Sequence, residues 1–151
     1  MKNNAILLVF ISFMFFTAKS QIIEDFVSAK LVTTYATGSF TGNQNIIWNF
    51  VNARGGQTTT TNKNAAISLN KAANACIFSD TLALGISFLQ FQYEQKLSAN
   101  CNAKVYINDS CIGEITTTAE ADVTKIFTAS NIYFTQPVVI KIVQSGASSG
   151  Q

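Results

Sequence analysis

Apolar and polar positions alternate along most of this chain with the period of two that marks β-strands. In Gly85–Tyr93, Leu89, Phe91 and Tyr93 fall on one side of an extended chain, while Gln90 and Gln92 fall on the other. In Ala103–Asn108, Val105 and Ile107 alternate with Lys104, Tyr106 and Asn108. Asn45–Arg54 gathers Ile46, Trp48 and Phe50 on one face, and Val138–Ser145 sets Val138, Ile140 and Ile142 against Val139, Lys141 and Val143. Further short strands are expected at Ile22–Phe26, Ala65–Leu69, Cys76–Ser79, Ile112–Thr117, Lys125–Ala129 and Ile132–Phe134. Gly38 and Gly42 make Thr33–Asn43 read as a loop, Gly55–Asn64 is a polar loop, and Asn108–Asp109 is a tight turn. The polar stretch Ala119–Thr124 could make a helical turn. No apolar pattern of period 3.6 is sustained, so the fold class is all-β: about nine short strands in an antiparallel sandwich or barrel.

The N-terminus breaks the pattern. A short basic start, Met1-Lys2-Asn3-Asn4, leads into an apolar run from Ala5 to Phe16, followed by Thr17-Ala18-Lys19-Ser20 with small residues at Ala18 and Ser20. This is the layout of a signal peptide (residues 1–20) cleaved before Gln21, and the run is too short for a transmembrane helix, which needs roughly 20 residues. The expected location is therefore secreted or extracellular, with one domain over residues 21–151. Removing Lys2 and Lys19 leaves eight of the ten Lys and Arg against eight Asp and Glu, a net charge of zero. A chain without a basic stripe makes a poor partner for nucleic acid or an anionic membrane surface.

Chemistry is read mainly by exclusion. With no histidine, the chain lacks the commonest general base and the usual nucleophilic triads and transition-metal ligands. The carboxylates are adjacent (Glu24/Asp25, Glu120/Asp122) or scattered (Asp80, Glu94, Asp109, Glu114), which offers no clear pair for glycoside hydrolysis. Neither a GxGxxG nor a P-loop spacing surrounds Gly55-Gly56, and no cofactor is implied. The expectation is a protein that is not an enzyme. Three cysteines, Cys76, Cys101 and Cys111, leave at least one thiol unpaired; Cys76–Cys101 is the freer pairing, and free buried thiols are the alternative. A two-residue turn would set Cys111 opposite Tyr106, far from Cys101.

If Leu89/Phe91 and Val105/Ile107 share the core, Gln90, Gln92, Lys104 and Tyr106 lie on one outer face, bordered by Arg54 and Lys141 if their strands are neighbours. Amide, ammonium and phenol groups side by side suit a sugar: the ring covers its C–H face and amides both donate to and accept from hydroxyls. A wet outer face of a sheet carries the same residue types without any ligand. Trp48, in phase with Ile46 and Phe50, is expected in the core; Tyr35 and Phe40 are a second candidate site at the end of the sandwich.

Several segments together carry a family likeness: Glu24-Asp25-Phe26, TGSFTGN at Thr37–Asn43, the aromatic strand Trp48–Arg54, GISFLQFQYEQKLS, the V-Y-I-N-D-S hairpin and the closing IKIVQSGASSGQ. The chain resembles a jelly-roll β-sandwich domain of secreted Bacteroidetes proteins, similar in shape to carbohydrate-binding modules and often found beside hydrolase, nuclease or lamin-tail modules. The resemblance implies a last strand beyond Gln151, so the domain is expected to lack its C-terminal strand. In some related sandwiches a terminal acidic pair joins an N-terminal Glu at a structural Ca²⁺; Glu24 and Asp25 could supply only half of such a site, so no occupied metal site is expected. The functional expectation is a non-catalytic binding or accessory module with a glycan or cell-surface polymer as ligand. The alternatives are a structural or adhesive surface module that contacts neighbouring protein modules, or a truncated accessory domain of a secreted hydrolase or nuclease.

Overall fold

The computed structural model describes residues 21–27, 29, 34–60, 63–96 and 100–145. The expected signal peptide and the closing residues beyond Ser145 lie outside them. The described chain is all-β: β1 (Ala36–Thr41), β2 (Ile47–Thr58), β3 (Ala65–Leu69), β4 (Cys76–Ser79), β5 (Ile86–Glu94), β6 (Asn102–Ile107), β7 (Ser110–Thr116), β8 (Thr124–Phe134) and β9 (Ile140–Gln144). Among the described residues the one helical element is a 3-10 turn at Asn43–Asn45, and no helix is long and apolar enough to cross a membrane.

The strands form two antiparallel sheets. The large sheet has the order β1-β2-β4-β9-β6-β7, with β3 also pairing with β2; the small one is the ribbon β5-β8. The ribbon lies over the β9-β6-β7 half of the large sheet, an arrangement compatible with a β-sandwich. Period-two alternation explains the contact. Val105 and Ile107 are fully buried at 0% exposure, and Leu89, Phe91 and Tyr93 of β5 pack onto the clusters they anchor. Val138, Ile140 and Leu82 close one end of the core, with Ile86, Ile132 and Phe134 from the ribbon against them. Each fully buried Val or Ile side chain is worth roughly 1.5–3 kcal/mol of transfer free energy. Phe91 and Phe127, partners across the ribbon, stack at 4.9 Å between centroids. The sheets come close at Gly113, where a Cβ would sit 2.8 Å from the Phe127 ring.

Several expected elements take a different form. Ile22–Phe26 is not a strand: Glu24 turns its carboxylate onto the backbone N–H of Phe26 and of Asn43, and the segment packs by side chains rather than by a ladder. Thr33–Asn43 is not all loop, because Ala36–Thr41 pairs with β2, and Gly38 faces the Phe50 ring at 3.0 Å from where its Cβ would be. The glycine serves close packing there, not a turn. β2 runs on through Gly55 and Gly56 because β3 replaces β4 as its neighbour beyond Val51, next to Asn52 (φ 51°), where the register of β2 with β1 shifts. Lys125–Ala129 and Ile132–Phe134 are one strand, interrupted by an irregularity at Asn131 (φ 59°). Ala119–Thr124 makes no helical turn; it holds a bridge from Ala121 to Gln95.

The hairpin reading stands: Ile107 pairs with Ser110 and Tyr106 with Cys111, around a turn whose Asn108 has φ 53°. No disulfide forms. Cys76 pairs with Val143, and Val143 with Lys104, so Cys76 is two strand spacings from β6, about 10 Å. Cys101 lies three residues back along the chain from Lys104, a further separation of about 10 Å. That placement exceeds the roughly 7 Å Cα separation a bridge tolerates. Burial pushes the thiols of Cys76 and Cys101 up, which keeps them protonated near neutral pH.

Candidate functional site

The six residues expected on one outer face lie in three places. Gln90 and Gln92 alternate with inward-facing Leu89, Phe91 and Tyr93, so they project from the outer face of the ribbon. Lys104 and Tyr106 alternate with buried Val105 and Ile107, so they project from the outer face of the large sheet, together with Lys141, the register partner of Tyr106. The two groups are on opposite sides of the molecule, separated by two sheets packed about 10 Å apart. β5 and β6, though successive in the chain, belong to different sheets and do not sit side by side. Their apolar sets do share the core, but from facing sheets.

Arg54 stands apart from both groups. It pairs with Ser68 of β3, on the stretch of β2 beyond β4, so its strand is not the neighbour of Lys141. Its guanidinium carbon lies 5.0 Å over the Tyr35 ring, a cation–π contact that also occupies the face of Tyr35. Phe40 is likewise taken: Phe26 stacks edge-on against it at 6.2 Å and against Trp48 at 5.8 Å. Neither Tyr35 nor Phe40 is an open platform. Trp48 is core, 7% exposed, with its indole N–H donating to Glu24 Oε2 at 2.9 Å.

On the large sheet, Lys104 pairs with Glu114 at 3.2 Å across the β6-β7 ladder, and that ion pair holds the ammonium's proton more tightly. Tyr106, Lys141, Asn108 and Asp109 line a dent of about 140 Å³. The dent is small and lined by polar side chains that also present apolar surface.

The ribbon's outer face carries exposed rings besides Gln90 and Gln92. Tyr133, between inward-facing Ile132 and Phe134, is 78% exposed; Phe88 is 52% and Ile126 58% exposed. Phe88 pairs with Ser130, Gln90 with Thr128 and Gln92 with Ile126, so these side chains stand in cross-strand rows. Gln90 Nε2 donates to Thr128 Oγ1 at 3.1 Å, and Asn64 Nδ2 donates to Gln92 Oε1 at 3.0 Å. Those bonds hold both amides in place and leave Gln90 Oε1 and Gln92 Nε2 without a protein partner among the described residues. The signal for Phe88 and Tyr133 was in the sequence: each is out of phase with the apolar set of its strand.

At the end of the ribbon a polar network fastens the Thr60 loop. Glu94, with a side chain only 4% exposed, binds Lys96, accepts from Thr60 N at 2.9 Å and from Thr124 Oγ1 at 2.8 Å; Lys96 also reaches Asp122 at 3.1 Å. Burial alone would raise the Glu94 carboxyl, but these hydrogen bonds outweigh it and lower the group to about 2. The network is internally satisfied and structural. Glu24 is used the same way, accepting from Phe26 N (2.9 Å), Asn43 N (2.8 Å) and Trp48 Nε1 (2.9 Å). Among the described residues no three Asp, Glu, Cys or His side chains come together as metal ligands.

Compared with protein-family models, with curated proteins and with solved structures, the chain matches none of them.

Proposed function

We propose that this protein is an exported, non-catalytic accessory module of the jelly-roll type that binds a glycan on the outer face of the β5-β8 ribbon. The observation that carries the reading is the pairing of two exposed rings, Tyr133 (78%) and Phe88 (52%), with the ordered amides of Gln90 and Gln92 on the same face. A sugar ring lies its C–H face on an aromatic surface and offers hydroxyls to amides that can donate and accept. Gln90 Oε1 can accept from such a hydroxyl while Gln92 Nε2 donates to one. The extended face of a two-stranded ribbon suits a chain polymer better than an isolated small molecule. A chain without histidine brings no general base of the usual kind to this face, in keeping with binding rather than turnover. Lys104, Tyr106 and Lys141, on the far side, have no part in it.

Retention on insoluble and soluble polysaccharides tests the proposal. The purified protein should be retained, Tyr133→Ala and Phe88→Ala should each weaken retention about tenfold or more, and Tyr106→Ala should leave it unchanged. Undiminished binding by both ring variants, or no retention on any polysaccharide, overturns the reading. In the second case, concentration-dependent self-association would point instead to a structural or adhesive surface module.

A further inference from the structure

A cleft of about 330 Å³ opens at the end of the fold where the chain enters β2 and leaves β4; its lining includes Ile22, Gln44, Asn45, Ile47, Asp80 and Leu84. Its volume is within the range of small-ligand sites, roughly 300–1,000 Å³. The floor is rigid. Leu82, which is 7% exposed, is bonded in both directions to Val138 (2.8 and 3.0 Å), and Asp80 N donates to Ile47 O at 2.7 Å.

One wall is held in a left-handed backbone form. Gln44 and Asn45 are consecutive non-glycine residues with φ of 56° and 60°, in the left-handed region. They stay there because Glu24 Oε2 accepts from Asn43 N at 2.8 Å, Gly42 N donates to Ile46 O at 2.8 Å, and Gln44 Nε2 donates to Gln21 O at 3.2 Å. Gly42 leaves room for this arrangement, since a Cβ there would lie 1.9 Å from the Glu24 carboxylate as placed. Disfavoured backbone that the surroundings enforce is concentrated at ligand sites.

The cleft's chemistry selects its occupant. Its apolar rim is left open, with Leu84 61%, Ile47 42% and Ile22 39% exposed. Asp80 is the one ionisable residue in the lining, and its carboxylate has no hydrogen bond or ion pair among the described residues. No cation in the lining competes for it. We infer that this cleft binds an amino sugar: its ammonium group on the Asp80 carboxylate, its hydroxyls at the amides of Gln44 and Asn45, and its ring C–H surface on Leu84 and Ile47. The inference rests on the glycan reading for its ligand class but uses a different site, so the two fail separately.

The test is a titration followed by nuclear magnetic resonance, using glucosamine, glucose, N-acetylglucosamine and glucosamine oligomers as probes. Glucosamine should shift the backbone signals of Asp80, Ala83 and Leu84 and bind about tenfold or more tightly than glucose or N-acetylglucosamine, which lack the charge. Asp80→Asn should abolish that preference; the side chain makes no bond the fold needs, so the variant keeps its structure. Oligomers that bind more tightly than the monomer through the same signals identify a chain end as the ligand, and equal binding identifies the free sugar; both support the assignment. Equal binding of the three monosaccharides, an unchanged preference in Asp80→Asn, or no shifts in the cleft overturn it. Shifts confined to Phe88 and Tyr133 refute the cleft and leave the ribbon face standing.

Discussion

Replacing Glu24 by alanine removes one carboxylate and leaves three donors without their acceptor: Trp48 Nε1, Asn43 N and Phe26 N, all at 2.8–2.9 Å in the native protein. The Trp48 indole is the costly one, because the residue is 7% exposed and water cannot readily replace the lost acceptor. A buried donor left unsatisfied costs about 1–3 kcal/mol, and the two part-buried amides add about 0.5–1 kcal/mol each. The left-handed pair Gln44-Asn45 also loses its anchor, so the expected loss is about 3 kcal/mol. Urea unfolding followed by the fluorescence of Trp48, the chain's only tryptophan, reads the change directly. With a urea slope of roughly 1.5–2 kcal/mol per molar, the midpoint should fall by about 1.5–2 M. The control is Asp25→Ala: the carboxylate accepts only from Val27 N at 3.1 Å, in an exposed setting, so its midpoint should move by no more than about 0.3 M. A Glu24→Ala midpoint within about 0.3 M of the native one, or equal losses in the two variants, refutes the view that Glu24 is the clamp between the N-terminal segment and the sheet.

Acid should loosen the Thr60 end of the ribbon. Glu94 ionises near 2 in the fold against 4.5 in the unfolded chain, so its contribution of about 3 kcal/mol is complete above pH 5 and is lost as the pH falls through 4.5 towards 2. Thermal melts from pH 7 to pH 2 should show that loss, and Glu94→Gln should be less stable at pH 7 while its melting curve varies less with pH below 5; a parallel pH dependence in both proteins would exclude Glu94 as the source. Gly113→Ala should destabilise by about 1–3 kcal/mol, since the new methyl meets the Phe127 ring at 2.8 Å, and the added Phe127→Leu change should recover part of the loss. Additive losses measured by denaturant unfolding would show that the two sheets do not touch there.

The inward sets were legible because a strand's period is two. Val105, Ile107, Val138, Ile140, Trp48 and Phe50 all lie in the core as their alternation implied. The turn at Asn108-Asp109 was legible because Asn accepts positive φ, and it placed Cys111 opposite Tyr106. Glycine was the weakest guide. Gly38 and Gly42 both mark a loop by sequence. Gly42 does stand in the loop after β1, where it also makes room for Glu24, but Gly38 lies within β1 against Phe50. A glycine's sequence neighbours do not reveal whether it serves a turn or a close approach from a distant part of the chain.

The candidate site was half legible for a related reason. Alternation put Gln90 and Gln92 outward, and Lys104 and Tyr106 outward, each correctly; it also held the clue that Phe88 and Tyr133 join Gln90 and Gln92. By itself the sequence determined that this protein is built of strands, which residues of each strand are buried, and that histidine chemistry is absent. Only the tertiary structure decided that β5 belongs to the ribbon and β6 to the large sheet, which sets their polar faces on opposite sides of the molecule. Alternation is a local consequence of backbone geometry, the same whatever the strand pairs with. Membership of a sheet depends on hydrogen bonds to strands far away in the chain: β5 with β8, and β6 with β9. Two facing sheets bury Leu89 and Phe91 against Val105 and Ile107 as well as one continuous sheet would, so the apolar pattern is equally satisfied by both.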